Sequence, residues 1–303
     1  MATVAPENVA HPPSAYKSDL KPIWCPGCGD FGVLSALYKA MSLCNVEPES
    51  TAIVSGIGCS SRLPGFVNAY GFHGVHGRVL PVATGIKLAR PELTVIGVGG
   101  DGDGYSIGAG HIPHTARRNP DITYLIMNNN TYGLTKGQIS PTSSIPLAHV
   151  NTRLDPKRWK STPYGATEDH INPMALAIAL DISFVARAFS YKPNQLADII
   201  VEAIRHKGFA LIDVLSPCPT WNQDQTEAYY KEKTFDIPDF HDPTDRVRAF
   251  ELAFRTDGRI PLGVLYRREE KPSQLDELAV LRARLAGRGN LEALFARYAS
   301  APD

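Results

Sequence analysis

The segment from Val98 to Ser140, VGGDGDGYSIGAGHIPHTARRNPDITYLIMNNNTYGLTKGQIS, constrains this chain more than any other. Leu93 to Val98 is a short β-branched run that stops at Gly99-Gly100-Asp101-Gly102, the pattern expected where a buried parallel strand ends and backbone must approach a ligand closely. Residues 103 to 118 read as a helix, and Ile122 to Met127 as a second apolar strand that delivers Asn128, Asn129 and Asn130 to the same sheet edge. In open α/β sheets that edge is where ligands bind. A diphosphate needs a hard cation such as Mg²⁺, which takes one or two protein oxygens and completes its shell with phosphate oxygens. One Asp, one Asn and a backbone carbonyl meet that need, and the doubled Gly-Asp-Gly-Asp-Gly lets either Asp101 or Asp103 be the carboxylate.

The 303 residues allow one large α/β domain with an appendage, and a hydrophobic fraction of 43% is ample for its core. Equal numbers of acidic and basic residues give no electrostatic footprint for nucleic acid. No apolar run is long enough to span a bilayer and the N-terminus lacks the apolar core of a signal peptide, so the expected location is the cytoplasm. Residues 1–22 are rich in Pro and polar side chains and read as an arm laid over a neighbour. Phe31 to Cys44 is an amphipathic helix, Thr51 to Val54 a strand, and Gly56-Ile57-Gly58-Cys59-Ser60-Ser61-Arg62 a second glycine-rich strand end. Pro81 to Arg90 is a further helix, on which Lys87 is expected in solvent. Cations at His111, His114, Arg117 and Arg118 suit a helix C-terminus. After a Pro- and Thr-rich loop over 141–172 come helix Met174 to Leu180, strand Ile182 to Val185, helix Pro193 to His206 and strand Ala210 to Leu215.

Five cysteines in a chain with no export signal point to metal ligands or reactive thiols rather than a disulfide framework. Cys25 and Cys28, in WCPGCGD, could be half of a four-thiolate iron-sulfur or zinc site, a redox dithiol, or two buried side chains. A zinc ribbon would want a second CxxC, which the sequence lacks. Cys59 and Cys218 each sit alone in a Gly- or Pro-marked loop able to present a thiolate, while Cys44 on the apolar helix reads as a small core residue.

Taken in order, WCPGCGD, GIGCSSR, HGRVLPVATGIKLA, GGDGDGYSIG, HIPHTARRN, NNNTYGLTKGQ and SPCPTWN resemble the β subunits of 2-oxoacid:ferredoxin oxidoreductases from about residue 20 to 266, and the 2-oxoglutarate branch most closely. The resemblance implies an open, mostly parallel sheet flanked by helices, the thiamine-diphosphate-binding fold of the diphosphate type. It implies Mg²⁺ on Asp101, Asn129 and the backbone oxygen of Thr131, and one [4Fe-4S] cluster on Cys25, Cys28, Cys59 and Cys218. Thiamine diphosphate would be lined by Gly58, Ser60, His76, Arg78, Gly100, Gly102, Asp103, Tyr132, Gly133, Leu134 and Thr135. His76, with Arg62 and Lys136, is a candidate for contact with substrate, the two cations because a second carboxylate must not be buried unpaired.

A thiamine site also needs a Glu from a pyrimidine-binding domain, for which this chain has no room. The expectation is an obligate α subunit that brings that Glu and most of the coenzyme A site, in a dimer of αβ heterodimers that passes electrons to ferredoxin. The domain limits expected are 1–22 for the arm, 23–235 for the cofactor domain and 236–303 for an extension. That extension starts with an Asp/Pro-rich linker. It continues with a helix near 245–256, a strand Ile260 to Leu265 and charged helices at 274–285 and 290–299, packed on the main domain or a partner.

Overall fold

A computed structural model describes residues 11–143, 166, 168–285, 295, 297 and 298. The apolar runs become six parallel strands: β1 (Thr51–Ser55), β2 (Tyr70–His73), β3 (Thr94–Gly100), β4 (Ile122–Asn128), β5 (Phe184–Phe189) and β6 (Phe209–Leu215). Every residue of β1, β4 and β6 is buried, because helices cover both faces of the sheet. Successive side chains therefore enter different cores. Ile53, Ile96, Leu125 and Ile212 pack under α1 (Asp30–Cys44) and α5 (Pro193–Arg205). Ala52, Val95, Tyr124 and Leu211 pack under α2 (Val79–Ala89), α3 (Ile112–Arg118) and α4 (Pro173–Ala179).

The strand order is β2-β1-β3-β4-β6-β5-β8-β7, with β7 (Thr234–Asp236) and β8 (Ile260–Arg267) supplied by the C-terminal segment. The chain leaves β1 toward β2 and returns on the opposite side of β1 as β3, so the order reverses between them. That reversal opens a crevice outside their carboxyl ends, where Gly56 to Cys59 and Gly100 to Asp103 lie.

Three details differ from the sequence expectations. The span 103–118 is not one helix. Asp103–Ile107 forms a π turn closed by the Gly108 N–H donating to the Asp103 carbonyl (3.0 Å), and α3 begins only at Ile112 because the Pro113 ring cannot follow a continuous helical turn. Lys87 is buried rather than solvated: its Nζ donates to the Leu93 carbonyl at 2.8 Å, and burial lowers its pKa. After β6, α6 (Glu227–Lys233) and β7 precede or only touch the expected extension, and within it β8 pairs antiparallel with β5 and parallel with β7, so the extension adds to the sheet as well as contributing α7 (Arg246–Ala253) and α8 (Gln274–Leu285). The first ten residues of the arm, most of the 141–172 loop and most of the 290–299 helix lie outside the described residues. Among the described residues no helix is long and apolar enough to cross a membrane.

Candidate active site at the sheet edge

Asp101 follows β3 directly and is 1% exposed. One of its oxygens accepts from the Asn129 N–H (3.4 Å), the other from the Thr142 hydroxyl (2.8 Å). Burial pushes its carboxyl up to about 6, opposed by the Ser140 and Thr142 hydroxyls and the Asn129 N–H. All these donors are neutral, so the buried carboxylate is an electrostatic site that a cation would complete. The Asn129 side-chain oxygen accepts from the Thr131 N–H at 3.0 Å, which curls the chain and brings Asn129 and Thr131 around Asp101.

The neighbouring amides are held from below. Asn128 donates to Asp213 (3.0 Å), which also pairs with Arg187 (3.1 Å), and Asn130 donates to the Tyr230 hydroxyl (2.7 Å). Asn130 has a φ of +54°, a conformation that Asn tolerates better than most side chains. The chain then folds into a tight hairpin: the Tyr132 N–H donates to the Gln138 carbonyl (3.0 Å) and the Gly137 N–H to the Tyr132 carbonyl (2.9 Å). Lys136 sits at its tip with a φ of +80° and an exposed side chain, flanked by exposed Leu134 and Thr135.

Gly133, in this hairpin, is where the two predicted sites meet. A methyl group there would lie 3.6 Å from Asn129 Nδ2, 3.6 Å from Cys59 Sγ and 3.7 Å from Cys218 Sγ. Cys59 stands in the loop after β1, its carbonyl accepting from the Trp24 indole N–H at 2.7 Å. The CxxC turn is joined to the Cys218 loop by the Gly29 N–H donating to the Pro217 carbonyl (3.1 Å) and the Ser216 hydroxyl donating to Asp30 (2.7 Å). The Tyr191 hydroxyl caps the Gly27 carbonyl at 2.6 Å.

Burial raises the Cys28 thiol, with added pressure from Asp30, Cys218 and Cys59. Cys59 is pushed up to about 11 by burial, Asp30, Cys218 and Cys25. The fold thus gathers Cys25, Cys28, Cys59 and Cys218. Cys44 is left at the far end of α1, where the Arg205 guanidinium acts on it. Among the described residues no three His, Cys, Asp or Glu side chains converge tightly enough for a single metal ion.

The other predicted residues lie on the segments that follow β1, β2 and β3. Gly58 (φ +139°) and Ser60 turn the chain after β1, and the Ser60 hydroxyl would lie 3.3 Å from a methyl group on Gly100. Gly102 is packed against the Tyr132 ring so closely that a methyl group would fall 2.2 Å from it. His76 and Arg78 stand on the loop after β2, partly exposed, with Arg78 reaching the Gly77 and Ile107 carbonyls (3.4 and 3.5 Å). Arg62 is exposed one turn beyond Cys59 and close enough for its charge to oppose the rise in that thiol. The buried Asp103 carboxylate faces the N–H groups of Ile57 and Gly77, not Asn129.

Residues 56–214 match the family described as "Thiamine pyrophosphate enzyme, C-terminal TPP binding domain", and residues 218–283 match the family formed by the C-terminal part of the pyruvate ferredoxin oxidoreductase beta subunit. The 2-oxoacid:ferredoxin oxidoreductase 1 subunit beta of Aeropyrum pernix is 44% identical over 277 residues, which is 88% of this chain and 84% of that one. The chain belongs to the β subunits of the 2-oxoacid:ferredoxin oxidoreductases. The 2-oxoglutarate synthase subunit KorB of Methanothermobacter marburgensis is 44% identical over 199 residues, 66% of each chain. A solved 2-oxoglutarate:ferredoxin oxidoreductase from Magnetococcus marinus, with 2-oxoglutarate, coenzyme A and succinyl-CoA bound, superposes with a TM-score of 0.87 at 43% identity, covering 96% of this chain and 97% of that one. As a β subunit the chain is one part of a heteromeric oxidoreductase.

Several residues that shape the site escape sequence reasoning. Thr142 and Ser140, the hydroxyl donors to Asp101, lie at the start of a loop with no periodicity, and nothing in the sequence marks them. Asp213 and Arg187 sit inside strands that otherwise read as core; a charge within an apolar strand was the available signal. Asp30 lies two residues after Cys28, and only the structure shows it buried among three of the thiols.

Proposed function

We propose that this chain is the β subunit of a thiamine-dependent, coenzyme A-acylating 2-oxoglutarate:ferredoxin oxidoreductase. That enzyme interconverts 2-oxoglutarate, coenzyme A and oxidised ferredoxin with succinyl-CoA, CO₂ and reduced ferredoxin. The observation that carries the reading is Gly133, where a methyl group would lie 3.6 Å from the Asn129 amide and 3.6 and 3.7 Å from two of the four gathered thiols. Decarboxylation leaves an electron pair that must move on in single steps, and a one-electron acceptor within the same crevice suits that need.

The residues fit the groups. Asp101, buried among neutral donors, with Asn129 and the Thr131 carbonyl, would hold Mg²⁺ and through it a diphosphate. Cys25, Cys28, Cys59 and Cys218 would hold a [4Fe-4S] cluster. Ligands of different irons stand farther apart than ligands of one ion, in keeping with the lack of a compact single-ion group among the described residues. Bound thiamine diphosphate supplies the electron sink that no side chain can provide. The chain's own contribution is to present neutral donors and backbone N–H groups at the crevice, to close it with the Tyr132–Gln138 hairpin, and to place cations at its mouth. The α subunit brings the activating Glu and most of the coenzyme A site, and two αβ pairs assemble.

The 2-oxoglutarate preference rests on Arg62 and Lys136, two exposed cations beside the Cys59 loop and on the hairpin, and on the names of the KorB relatives and the Magnetococcus enzyme. The Aeropyrum relatives carry the broader name of 2-oxoacid enzymes, which favours, as a second reading, the same chemistry on pyruvate or another 2-oxo acid. The test is anaerobic co-expression with the α partner, followed by iron and sulfide analysis and coenzyme A-dependent dye reduction. The reading expects about four irons per β chain and 2-oxoglutarate as the preferred acid. Zinc in place of iron, or no oxidation of any 2-oxo acid, would overturn it.

A further inference from the structure

The four thiols differ in access. Cys218 is buried, Cys28 and Cys59 are half-buried, and Cys25 is exposed. Gly133 of the hairpin approaches Cys59 and Cys218. Cys25 is the point at which the set opens to the surface of the chain.

The arm, the turn Ser60–Phe66 and the start of α1 build the surface beside that thiol. Lys17 forms a backbone bridge with Val67, the Ser18 hydroxyl donates to the Gly65 carbonyl at 2.8 Å, and a methyl group on Gly65 would lie 3.9 Å from the Leu20 side chain. The arm is thus pinned along the turn before it reaches Trp24. The Trp24 ring, its N–H on the Cys59 carbonyl, stands edge-on to Phe66 (5.0 Å) and to Phe31 (5.3 Å). Around this buried ring, Leu20 and Ile23 are each 63% exposed and Phe31 38%. Exposed apolar side chains are ordinary when scattered, but these flank one ring next to an exposed thiol. The charges are uneven as well. Lys17 and Lys21 are exposed without an ion-pair partner among the described residues, Arg62 adds a cation where this face meets the Cys59 loop, and against them stands Asp19.

We infer that this face, with Cys25 at its centre and Lys17, Leu20, Lys21, Ile23 and Phe31 around it, is the docking surface for an acidic one-electron carrier, the ferredoxin of the proposed reaction. The inference rests on the functional reading above. Tunnelling falls steeply with distance, so the carrier must seat its own cluster against the exposed edge of the thiol set. A carrier cluster held by four thiolates presents net negative charge at its surface, and unpaired lysines both attract it and raise the rate of encounter. The apolar side chains supply the contact that expels water. A few of them with a charged border suit a redox encounter, which buries less surface than a permanent interface and must part after the transfer.

Calorimetric titration of the co-purified αβ enzyme with a purified acidic ferredoxin, at low and at high salt, tests this. Lys17→Glu combined with Lys21→Glu is expected to weaken binding about 10-fold at low salt, and the deficit should shrink to within about twofold at high salt, where exposed charges are screened. Ile23→Ala is expected to weaken binding about fivefold at both, because an apolar contact is not screened. Iron content, co-elution with the α subunit and coenzyme A-dependent dye reduction should stay at the wild-type level in both variants, since a small dye needs no docking face. Wild-type affinity in the variants, or a lysine deficit that salt leaves untouched, would overturn the inference. Loss of the α subunit from either variant would make this face a subunit contact and overturn it too. A wild type that oxidises no 2-oxo acid, yet binds the ferredoxin with the expected salt and variant dependence, would overturn the functional reading and leave the docking face standing.

Discussion

Gly32 offers a sharp test of how the CxxC turn is held. It lies in the first turns of α1, where the helix meets the end of β5, and a methyl group there would fall 2.0 Å from the Ser190 carbonyl oxygen and 2.9 Å from its carbon. Both atoms are backbone, so no rotamer change relieves the clash. Ordinary contact requires α1 and the β5 end to part by about 1.4 Å, in a core packed too densely to absorb it. Overpacking of this kind costs about 1–3 kcal/mol, equivalent to a Tm drop of roughly 2–5 °C for a chain of this length.

The displacement has a second effect. Cys28 lies one turn before Gly32 and is tied to the Cys218 loop through Gly29 and Asp30, so moving α1 pulls one thiol away from the other three. Gly32→Ala is therefore expected to lose iron as well as stability. Gly85→Ala is the control: Gly85 sits on the open side of α2 with nothing within 4 Å, and should gain roughly 0.5–1 kcal/mol as helix propensity improves. The assay is iron per β chain and thermal unfolding of both variants. Full iron and an unchanged Tm in Gly32→Ala would refute the reasoning.

Cys59→Ser and Cys218→Ser should each lose iron and the visible absorbance of the cluster, whereas Cys44→Ser, at the far end of α1, should keep both; an iron-free Cys44 variant would contradict the assignment. His206 is pushed down to about 4 by burial and by the Arg267 charge, from an ordinary value of 6.5, and its Nε2 pairs with the Ser183 hydroxyl. The unfolded chain thus binds the extra proton between these values. The stabilisation is complete above pH 6.5 and is lost as the pH falls toward 4, at up to about 1.4 kcal/mol per pH unit. Urea titrations of His206→Gln should show a flatter dependence over that window than the parent, and parallel curves would exclude His206 as the cause. Lys136→Ala, in the αβ enzyme, should raise KM for 2-oxoglutarate by roughly 10–150-fold, the worth of a charged contact of about 1.5–3 kcal/mol, and leave pyruvate and 2-oxobutyrate little changed. Equal losses on all three acids would return Lys136 to the cofactor or the fold.

The sheet edge was legible because its chemistry demands rare residues at strand ends. Glycines that must meet backbone, a carboxylate after β3 and amides after β4 cannot be replaced by generic loop composition. The gathering of four thiols followed from loops whose Gly and Pro residues hold them rigidly, though only the tertiary pairing of the Gly29 and Pro217 backbones joins the CxxC turn to the Cys218 loop. Other features leave no trace in pattern. β2 is a four-residue edge strand exposed along its whole length, Tyr70 and Phe72 included, so it has no buried face to betray it. Lys87 buries its stem and finds a carbonyl, which no periodicity announces. Asp101 and Asp103 are equivalent as sequence, and only the positions of Gly56, Ile57 and Gly77 give the second one a different environment. The strand at β8 is readable, but its antiparallel seat beside β5 is a tertiary choice.

The central claim is that the carboxylate edge and the thiols form one redox site across Gly133. The measurement that tests it most directly is electron paramagnetic resonance of the anaerobic αβ enzyme after addition of 2-oxoglutarate and coenzyme A, without any other reductant. The account predicts the signal of a reduced [4Fe-4S] cluster in the wild type. It predicts none in Asp101→Ala, whose cluster should still be present and reducible by dithionite. A substrate-driven signal that survives Asp101→Ala, or a wild type that dithionite reduces and substrate does not, would contradict it.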